Sequence, residues 1–312
     1  MIPRLSGIKK SIELASYFKK LKIDLVHSFH YGSDYSEALA SKIAGIPWIF
    51  TKKNMNWGGK SKKAWKVRSS LASHIIAQNS DMINQFYSKY NNVTLIPRGI
   101  DINEFKSESD VASNSIIDEF DLLSKNQVIV TVANIVPLKG VEFLIKCISN
   151  IIFKYPNIKV LIVGNNQNKY FESIKSLVDE LGLKETIIFT GKRNDVNNIL
   201  SCADLFILPT LKIGEGSPVS LLEAMAKKRI VLASNVPGSS QILSEFPECL
   251  FEPENPIELT QKINFLLNLN KNESIRLRNQ LSNTVKKKYN IKIEVNKTTD
   301  VYKKVLKGKF TL

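Results

Sequence analysis

Two carboxylates, Glu215 and Glu223, flank the predicted start of a helix. The apolar run at 204–208 that precedes them predicts a buried strand. Ser217 followed by Pro218 is typical of a helix N-cap with proline at the first helical position. The sequence therefore predicts a strand, a loop and a helix, with one carboxylate before the helix and one inside it.

The predicted helix start could bind an anion. The backbone N–H groups of Val219 and Ser220 have no partner within the helix and lie at its positive end. Glu215 comes just before that end and Glu223 nearly two turns inside, and a carboxylate can accept hydrogen bonds from two vicinal hydroxyls. A sugar nucleotide, with its phosphates between two hydroxyl-bearing parts, suits this layout. Spacing alone leaves an alternative open, in which Glu215 is a solvated loop residue and Glu223 a helix-surface residue.

The wider sequence favours the first interpretation. Glu-Gly-Ser-Pro from Glu215 and Leu-Leu-Glu-Ala-Met-Ala around Glu223 resemble the Glu-x7-Glu motif of the family 4 retaining glycosyltransferases, which have the GT-B fold. The resemblance implies that Glu215 contacts the hydroxyls of the donor sugar and that Glu223 holds the ribose. It also implies a nucleotide-sugar site that includes Gly216, Ser217, Val219 and Ser220.

A second stretch, 132–140, resembles the Gly-Arg-Leu-x-x-x-Lys-Gly loop of that family, whose Arg and Lys clamp the donor diphosphate. Lys139 matches the lysine, and the resemblance implies a catalytic role in stabilising the leaving group. Asn134 replaces the arginine. A neutral amide lacks the paired charged donors of a guanidinium, so we expect weaker stabilisation at this position. The alternative for Lys139 is an exposed lysine at a helix start.

Three further stretches have weaker resemblances. Gly164 matches the family's glycine after the second strand, and Lys192 and Arg193 occupy the loop that cups the nucleobase through backbone atoms. Those two side chains could also be merely exposed. Residues 236–242 are similar to a Gly-Gly-x-x-Glu segment at few positions.

The first third of the chain has the residues expected to face the sugar and the acceptor. Residues 46–53 resemble the family's strand ending in Thr-x-His, and Lys53 stands at the histidine position. Lysine lacks the neutral donor and acceptor of imidazole but could stabilise negative charge, so Lys53 is a catalytic candidate. His27 and His30 lie at the end of the preceding strand, predicted from Ile23 to His27, where the family often has His-x-His. Their role is either catalytic or structural. The turn at 97–101 resembles Pro-Asn-Gly-Ile-Asp, with Arg98 for Asn.

A basic segment lies between Lys52 and Arg68, with no acidic residue in it. Lysine attracts anionic lipid and tryptophan suits the membrane interface, so the segment predicts contact with an anionic membrane or a phosphorylated lipid acceptor. A solvated basic loop is the alternative. Together with His30, the residues predicted for this acceptor or membrane side are Trp57, Lys62, Lys63 and Trp65.

Composition limits the classes of function. The chain of 312 residues is 43% hydrophobic and 23% charged, as in ordinary globular proteins, and has a formal net charge of +15. That excess suits phosphorylated partners, but no helix-turn-helix, zinc or RNA-binding aromatic signature supports nucleic-acid binding. No apolar run reaches the roughly 18 to 20 residues of a membrane span, and the N-terminus lacks a signal-peptide core. The sequence therefore predicts a cytoplasmic protein, with a peripheral position on the inner face of the cell membrane as an option. Cys147, Cys202 and Cys249 are predicted free thiols, and neither a metal nor a cofactor is predicted.

The predicted elements alternate between strands and helices, which argues for doubly wound parallel sheets. The expected fold is α/β and GT-B, with two Rossmann-like domains facing a cleft. Residues 1–110 are predicted to form an acceptor-side domain and 111–290 a nucleotide-sugar-binding domain, with a helix in 291–312 crossing back to the first domain. The polar stretch 103–126 is expected to be the connection between the two domains. The strand units with which the family usually opens are absent, so the first domain is expected to be incomplete.

These observations predict a retaining glycosyltransferase that moves a hexose-type sugar from a nucleoside diphosphate to a cell-surface polysaccharide or lipid-linked glycan. One alternative is a catalytically weak or partner-dependent sugar-nucleotide-binding subunit, which Asn134, Lys53 and the missing strands favour. A sugar-nucleotide epimerase of the same architecture is a second alternative, but the Glu-x7-Glu context is typical of transferases.

Overall fold

A computed structural model describes residues 7–30, 32, 34–56, 62–105, 110–123 and 125–310. The chain forms two compact units. The first takes the described residues up to Arg98, the tripeptide Glu215–Ser217 and the residues from Lys292 onwards. The second comprises Gly99–Gly214 and Pro218–Ile291. The division after Arg98 lies 12 residues before the boundary at 110/111 that the sequence suggested.

The first unit is built around a parallel sheet of four strands in the order β1-β2-β3-β4, so consecutive strands are neighbours. Its strands are β1 (Val26–Ser28), β2 (Trp48–Lys52), β3 (His74–Ala77) and β4 (Val93–Leu95). Its helices are α1 (Ile8–Lys20), α2 (Ser36–Ala44), α3 (Lys62–Ser70) and α4 (Ser80–Met82), which continues as a π-helical turn over Ile83–Tyr87. The last helix of the chain, Ile291–Phe310, also falls almost entirely in this unit.

Both faces of the first sheet are covered, as parallel strands require. On one face Trp48, Phe50 and Ile75 pack with Trp65 and Tyr87 from the helical segments. On the other face Ile49 and Ile76 pack against Val301 of the last helix. Since successive residues of a strand point to opposite faces, the uninterrupted burial of β2 follows from this two-sided covering.

The second unit contains a parallel sheet of six strands in the order β10-β9-β8-β5-β6-β7. The strands are β5 (Gln127–Val132), β6 (Ile158–Val163), β7 (Ile187–Gly191), β8 (Leu205–Leu208), β9 (Ile230–Ser234) and β10 (Leu250–Phe251). The helices are α5 (Asp110–Glu119), α6 (Val141–Ile151), α7 (Lys169–Glu180), α8 (Val196–Ser201), α9 (Val219–Ala226), α10 (Ser239–Ile242), α11 (Pro256–Leu267) and α12 (Lys271–Lys288); the helix Ile291–Phe310 is α13. One apolar core joins these helices to the sheet.

The sequence accounts for several of these helices. In α6 the buried residues Val141, Leu144, Ile145 and Ile148 recur at helical spacing and form one apolar face. Asn270 caps α12 in a capping box with Glu273. The predicted α/β class is confirmed, with two parallel sheets.

Two details of the fold differ from the sequence-based expectations. The polar stretch 103–126, expected to connect the two domains, belongs to the second unit and contains α5, which packs against α8. A polar helix lacks strong hydrophobic periodicity, so the sequence did not reveal α5. The first strand begins at Val26 rather than Ile23, since only Val26–Ser28 pair with β2. Tertiary pairing, which the local apolar run does not encode, sets this boundary.

Candidate functional site

The order of strands in the second unit reverses between β5 and β8. From β5 the chain proceeds outward through β6 to β7, and then crosses over to continue outward on the other side with β8, β9 and β10. β5 and β8 are paired directly, through Ile129 with Leu205 and Val130 with Phe206. In open α/β sheets, ligands bind beyond the carboxyl ends of the strands at such a reversal. The loops after β5 and β8 are therefore the primary candidates for the nucleotide site.

These two loops are in direct contact. The backbone N–H of Leu211 donates to the carbonyl of Leu138 over 2.9 Å. Gly140 has a φ of +67°, and a Cβ at this position would lie 1.9 Å from the carbonyl oxygen of Pro209, so only glycine permits the approach. Lys139, half-buried, ends the 3-10 turn immediately before Gly140. The predicted diphosphate lysine is thus held beside the loop that leads to α9.

The other predicted residues of this edge lie at neighbouring strand ends. Asn134 is exposed after β5, and the next residue, Ile135, donates its N–H to Asn165 after β6. Gly164 donates its N–H to the carbonyl of Gly191 at the end of β7, over 3.0 Å. Lys192, which follows, is exposed. The structure therefore places these predicted residues along one continuous edge.

Arg193 does not present a free guanidinium. Its Nη1 and Nη2 donate to both carboxylate oxygens of Glu119, at 2.6 and 2.8 Å, and its Nε and Nη2 donate to Asp195 at 2.8 Å each. These hydrogen bonds raise the pKa of the Arg193 guanidinium and lower that of the Asp195 carboxyl. The Arg193 side chain ties α5 to the loop before α8, so a contact between its side chain and a nucleotide would require this cluster to open.

The start of α9 differs from the sequence-based expectation. The helix begins at Val219, Pro218 occupies the N-cap position, and no side chain caps the helix. The predicted N-cap at Ser217 is therefore wrong, because the helix starts one residue later than expected. The Ser217 hydroxyl is buried and has no hydrogen-bond partner among the described residues. The first backbone N–H groups of α9, including those of Val219 and Ser220, still lack intrahelical partners.

Glu223 is the fifth residue of α9, so it lies about one turn inside the helix instead of the nearly two turns expected. It is half-buried, and burial raises the pKa of its carboxyl, with a smaller contribution from the negative charge of Glu104. Desolvation and a neighbouring acid both disfavour the charged form of a carboxylate. Hydroxyl donors from a ligand would supply the hydrogen bonds that water otherwise provides.

The tripeptide Glu215–Ser217 is anchored in the first unit. The Asn79 side-chain amide donates to the carbonyls of Glu215, at 2.9 Å, and Gly216, at 2.7 Å. A Cβ at Gly216 would lie 2.0 Å from the carbonyl oxygen of Lys53, so this position accepts only glycine. Asn79 also caps α4 through its Oδ1, which accepts from the N–H of Met82 at 2.8 Å. The backbone around Glu215 is thus fixed by the strand ends after β2 and β3.

Lys53 lies at the carboxyl end of the first sheet, near two charged residues. Burial lowers the pKa of its ammonium, the positive charge of Arg98 lowers it further, and the charge of Glu294 opposes these effects. Arg98 follows β4, and its Nη1 lies 3.9 Å from Glu294 Oε1. The Lys53 Nζ also lies 5.5 Å from the centre of the Phe29 ring.

His27, the middle residue of β1, is held by two hydroxyls. Its Nδ1 lies 2.6 Å from Tyr302 Oη and its Nε2 lies 2.9 Å from Thr51 Oγ1. Burial, followed by the charge of Lys53, lowers the pKa of His27 to about 4. The ring is therefore neutral at physiological pH, and both nitrogens are engaged in structural hydrogen bonds.

His30 belongs to a polar cluster with Glu37 and Arg68. Its Nε2 lies 3.1 Å from Glu37 Oε2 and 2.9 Å from Arg68 Nη1. Burial raises the pKa of Glu37, but hydrogen bonds from His30 and Ser28 outweigh it, so the pKa of this carboxyl is lowered. Arg68 Nη1 also donates to the carbonyls of Gly32 and Asp34. The contacts of His30 are those of a residue that organises the loop after β1, and its acceptor role stays a prediction.

The basic segment is not the exposed patch that the sequence suggested. Trp65 is only 1% exposed, and Lys52 and Arg68 are fully buried. The Arg68 guanidinium lies 4.9 Å from the ring centres of Trp48 and Phe50, in contact with their faces. Trp65 is therefore unavailable to a membrane, and the prediction that it lies on the acceptor or membrane side was wrong. Lys62 and Lys63 are exposed at the start of α3, whereas Trp57 lies outside the described residues.

Two features of this site were not found from the sequence. Asn79 forms hydrogen bonds to residues 136 and 137 positions away, and such bonds leave no local pattern. The buried face of α3 did leave one, because Trp65, Arg68 and Ser69 recur at helical spacing. That periodicity distinguishes a helix with a buried cation from a solvated loop.

Within the described ranges, no helix is long and apolar enough to cross a membrane. Among the same residues, His, Cys, Asp and Glu side chains form no group of three or more that could hold a metal ion. The three cysteines are free thiols, buried at Cys147 and Cys249 and half-buried at Cys202.

Comparison with known families gives two matches. The family model for glycosyl transferases group 1 matches residues 113–288, which is more than half of the chain. The model for glycosyltransferase family 4 matches residues 3–104.

Similar proteins are glycosyltransferases, and the solved structures among them confirm the GT-B fold. The chain is 24% identical to the UDP-Gal:alpha-D-GlcNAc-diphosphoundecaprenol alpha-1,3-galactosyltransferase of Escherichia coli, over 96% of this chain and 80% of that protein. It is 25% identical to the N,N'-diacetylbacillosaminyl-diphospho-undecaprenol alpha-1,3-N-acetylgalactosaminyltransferase of Campylobacter jejuni, over 86% and 74%. Among solved structures, a glycosyltransferase from Rickettsia africae has a TM-score of 0.87 at 19% identity, over 98% of this chain and 84% of that one. HepE from Anabaena in complex with UDP and glucose has a TM-score of 0.84 at 19% identity, over 96% and 84%.

Proposed function

Because the chain belongs to the glycosyl transferases group 1 family, we propose that it transfers a hexose-type sugar from a nucleoside diphosphate to a glycan acceptor, with retention of configuration. The observation that carries the proposal is the reversal of strand order between β5 and β8. It brings the Lys139 loop into contact with the loop that leads into α9. Lys139 therefore follows the end of β5, and the backbone donors of α9 and Glu223 follow the end of the adjacent β8. A diphosphate attached to a ribose requires such a combination of groups.

Each residue has a separate role in the proposal. Lys139 and the N–H groups of Val219 and Ser220 stabilise the negative charge of the diphosphate. Glu223 accepts hydrogen bonds from the ribose hydroxyls, and Glu215 accepts them from the donor sugar. HepE, which shares the fold, was crystallised with UDP and glucose, so UDP is the first nucleotide to test.

In the proposed reaction an acceptor hydroxyl attacks the anomeric carbon from the face that the diphosphate leaves. The bond between the anomeric carbon and the diphosphate oxygen breaks, and a bond from the same carbon to the acceptor oxygen forms. The acceptor proton passes to the departing diphosphate oxygen, so no protein nucleophile is needed. The protein contributes the position of the sugar, through Glu215, and charge stabilisation, through Lys139.

The acceptor is proposed to be a lipid-linked glycan or a cell-surface polysaccharide. The names of the Escherichia coli and Campylobacter jejuni relatives specify sugars linked to diphosphoundecaprenol. A similar acceptor would bring the protein to the inner face of the cell membrane. The exposed Lys62 and Lys63 on α3 would then face anionic lipid, where a lysine near such a surface contributes about 1 kcal/mol.

Vesicle sedimentation tests this membrane contact. We expect binding to vesicles that contain anionic lipid at low salt, and a loss as the Debye length falls below about 10 Å. The double variant Lys62→Gln, Lys63→Gln should bind less. Equal binding of the wild type to neutral vesicles would contradict an electrostatic contact.

The transferase proposal is tested by incubating the purified chain with UDP-sugars and a diphosphoundecaprenol-linked acceptor, and by following the product by mass spectrometry. Transfer that is lost in Glu215→Gln supports the proposal. UDP binding without transfer would favour the alternative of a sugar-nucleotide-binding subunit, which the replacements at Asn134 and Lys53 also favour. Absence of binding to any nucleoside diphosphate would contradict both.

A further inference from the structure

Phe29 is a half-exposed aromatic residue at the carboxyl end of β1, and the proposed donor site makes no use of it. It comes directly after Ser28, the last residue of β1, and is 45% exposed. Single exposed apolar side chains are common in proteins and do not by themselves indicate a site. The contacts of Phe29 and its position in the first unit distinguish it from such side chains.

The Phe29 ring is held in place by its neighbours. The centres of the His27 and Phe29 rings lie 4.0 Å apart, and the two ring planes are inclined at 33°. His27 is itself fixed, because its Nδ1 lies 2.6 Å from Tyr302 Oη and its Nε2 lies 2.9 Å from Thr51 Oγ1. A ring that is already ordered loses little conformational entropy when a ligand packs against it. Phe29 therefore offers a preorganised apolar surface.

Phe29 also lies close to the segment that contains Glu215. The Lys53 Nζ lies 5.5 Å from the centre of the Phe29 ring. The backbone carbonyl of the same lysine lies against Gly216, where a Cβ would be 2.0 Å from its oxygen. The tripeptide Glu215–Ser217 belongs to the first unit. A single residue, Lys53, therefore links the aromatic ring to the backbone of the carboxylate that is proposed to hold the donor sugar.

A sugar ring suits this aromatic surface better than a lipid chain does. The C–H groups on one face of a pyranose carry a partial positive charge, which the negative face of an aromatic ring attracts. The ammonium of Lys53 lies near the Phe29 ring. An apolar chain on the ring would exclude water from this ammonium at a cost in free energy, whereas the hydroxyls of a sugar replace the water.

We propose that Phe29 stacks against a sugar ring of the acceptor and contributes to the choice of acceptor. This inference rests on the proposed function, in which Lys139 and Glu223 hold the nucleotide and Glu215 holds the donor sugar. The acceptor hydroxyl must reach the anomeric carbon of that sugar, so the acceptor ring lies next to it. Phe29 is accordingly a substrate-binding residue, and no bond forms or breaks at its side chain.

Acceptor kinetics test the assignment, with Phe29→Ala and Phe29→Trp as variants. We expect Phe29→Ala to raise the KM of the acceptor by about three- to tenfold, the scale of one aromatic contact, and to leave the KM of the UDP-sugar unchanged. Phe29→Trp, which keeps an aromatic face, should have an acceptor KM close to that of the wild type. Phe153→Ala is the matched control, because Phe153 is 94% exposed and lies in the second unit.

UDP affinity equal to that of the wild type shows that each variant is folded. An acceptor KM that is unchanged in Phe29→Ala, or that rises equally in Phe153→Ala, would overturn the inference. A raised KM for the UDP-sugar alone would also overturn it, because the ring would then contact the donor sugar.

A binding measurement separates this inference from the proposed function. The fluorescence of Phe29→Trp is recorded with UDP present while methyl glycosides of hexoses and of N-acetylhexosamines are added, and the wild type gives the background signal. We expect at least one methyl glycoside to change the emission of Phe29→Trp more than that of the wild type. This signal from a chain that transfers no sugar would support the inference and contradict the proposed function. The absence of such a signal with every glycoside would overturn the inference even where transfer is intact.

The group that the acceptor sugar is linked to distinguishes a sugar from a lipid on the ring. The ratio of the acceptor KM in Phe29→Ala to that in the wild type is measured for a glycan linked to a polyprenyl diphosphate and for the same glycan as a methyl glycoside. We expect equal ratios, because the proposed contact is with the sugar. A ratio of one for the methyl glycoside, with a raised ratio for the lipid-linked glycan, would mean that Phe29 contacts the lipid and would overturn the assignment.

Discussion

The Asn79 amide nitrogen donates to the carbonyl oxygens of Glu215 and Gly216, at 2.9 and 2.7 Å. The same side chain caps α4 through its oxygen. One residue thus connects the strand end after β3 to the backbone of the predicted sugar-contacting carboxylate. Both of these bonds go to backbone carbonyls. Asn79 therefore positions Glu215 without contacting substrate through them.

We expect Asn79→Asp to reduce sugar transfer by about tenfold or more while UDP affinity changes little. Aspartate keeps the oxygen that caps the helix but cannot donate to the two carbonyls, and its charge repels them. Because Glu223 and Lys139 hold the nucleotide in the proposal, binding should survive. Steady-state kinetics and UDP calorimetry on the same preparation measure both quantities. Asn79→Ser, a cap without an amide donor, serves as the control for charge. Transfer at the wild-type rate in both variants would show that the anchoring bonds are dispensable.

Glu223→Gln should have opposite effects on binding and on stability. The loss of a charged hydrogen bond to the ribose should weaken UDP binding by about 1.5 to 3 kcal/mol. In the ligand-free protein, burial raises the pKa of Glu223, so the folded state favours its protonated form. The contribution of this group to stability is present below the ordinary pKa of 4.5 and is lost as pH rises through the raised value.

The neutral amide of Glu223→Gln avoids this loss, so the variant should have a higher Tm than the wild type at pH 7 without UDP. Calorimetry and thermal unfolding check the two halves. Glu215→Gln is the matched control, because it removes the other carboxylate of the motif and should depress transfer with little change in UDP affinity. The same UDP affinity in the wild type and Glu223→Gln would refute the ribose contact.

Asn134→Arg should tighten diphosphate binding. Asn134 is exposed just after β5, so a longer side chain has room there. Its backbone carbonyl accepts from the N–H of Val136 at 2.9 Å. A guanidinium would offer two charged donors in place of a neutral amide. UDP titration of the variant measures the gain, with Lys192→Arg as a control for a conservative change in the neighbouring loop. An unchanged affinity in a folded variant would remove Asn134 from the diphosphate site.

The sequence predicted the second unit well and the first unit less well, for a physical reason. Strands such as β8, buried on both faces, are continuous apolar runs, and their loops follow a repeated βα order, so the edge that contains Lys139 and Glu223 could be predicted. The burial of Arg68 and Lys52 could not be predicted from residue type, because lysine and arginine are buried only when tertiary contacts compensate them. The bonds of Asn79 to Glu215 and Gly216 are likewise tertiary.

Lys52 should make stability depend on alkaline pH. Its Nζ is fully buried, donates to Asn54 Oδ1 at 2.7 Å and to the carbonyl of Asn56, and lies 4.4 Å from the centre of the Trp65 ring. Burial, followed by the charge of Arg68, lowers the pKa of Lys52 from 10.5 to about 7. Between these values the unfolded chain holds a proton at Lys52 that the folded chain has released. The free energy of unfolding therefore rises with pH in this window, by up to about 1.4 kcal/mol per pH unit from this group.

Lys52→Met retains the volume and the apolar contacts but removes the titrating group. We expect it to be more stable than the wild type at pH 7, and we expect the difference to shrink as pH approaches 10.5, where the ordinary lysine also loses its proton. Urea denaturation at several pH values from 7 to 10 measures the difference, and Lys89→Met at an exposed position should show no such trend. A stability difference that stays constant over this range would mean that Lys52 titrates near its ordinary pKa, with its charge accommodated by Asn54, Asn56 and the aromatic rings.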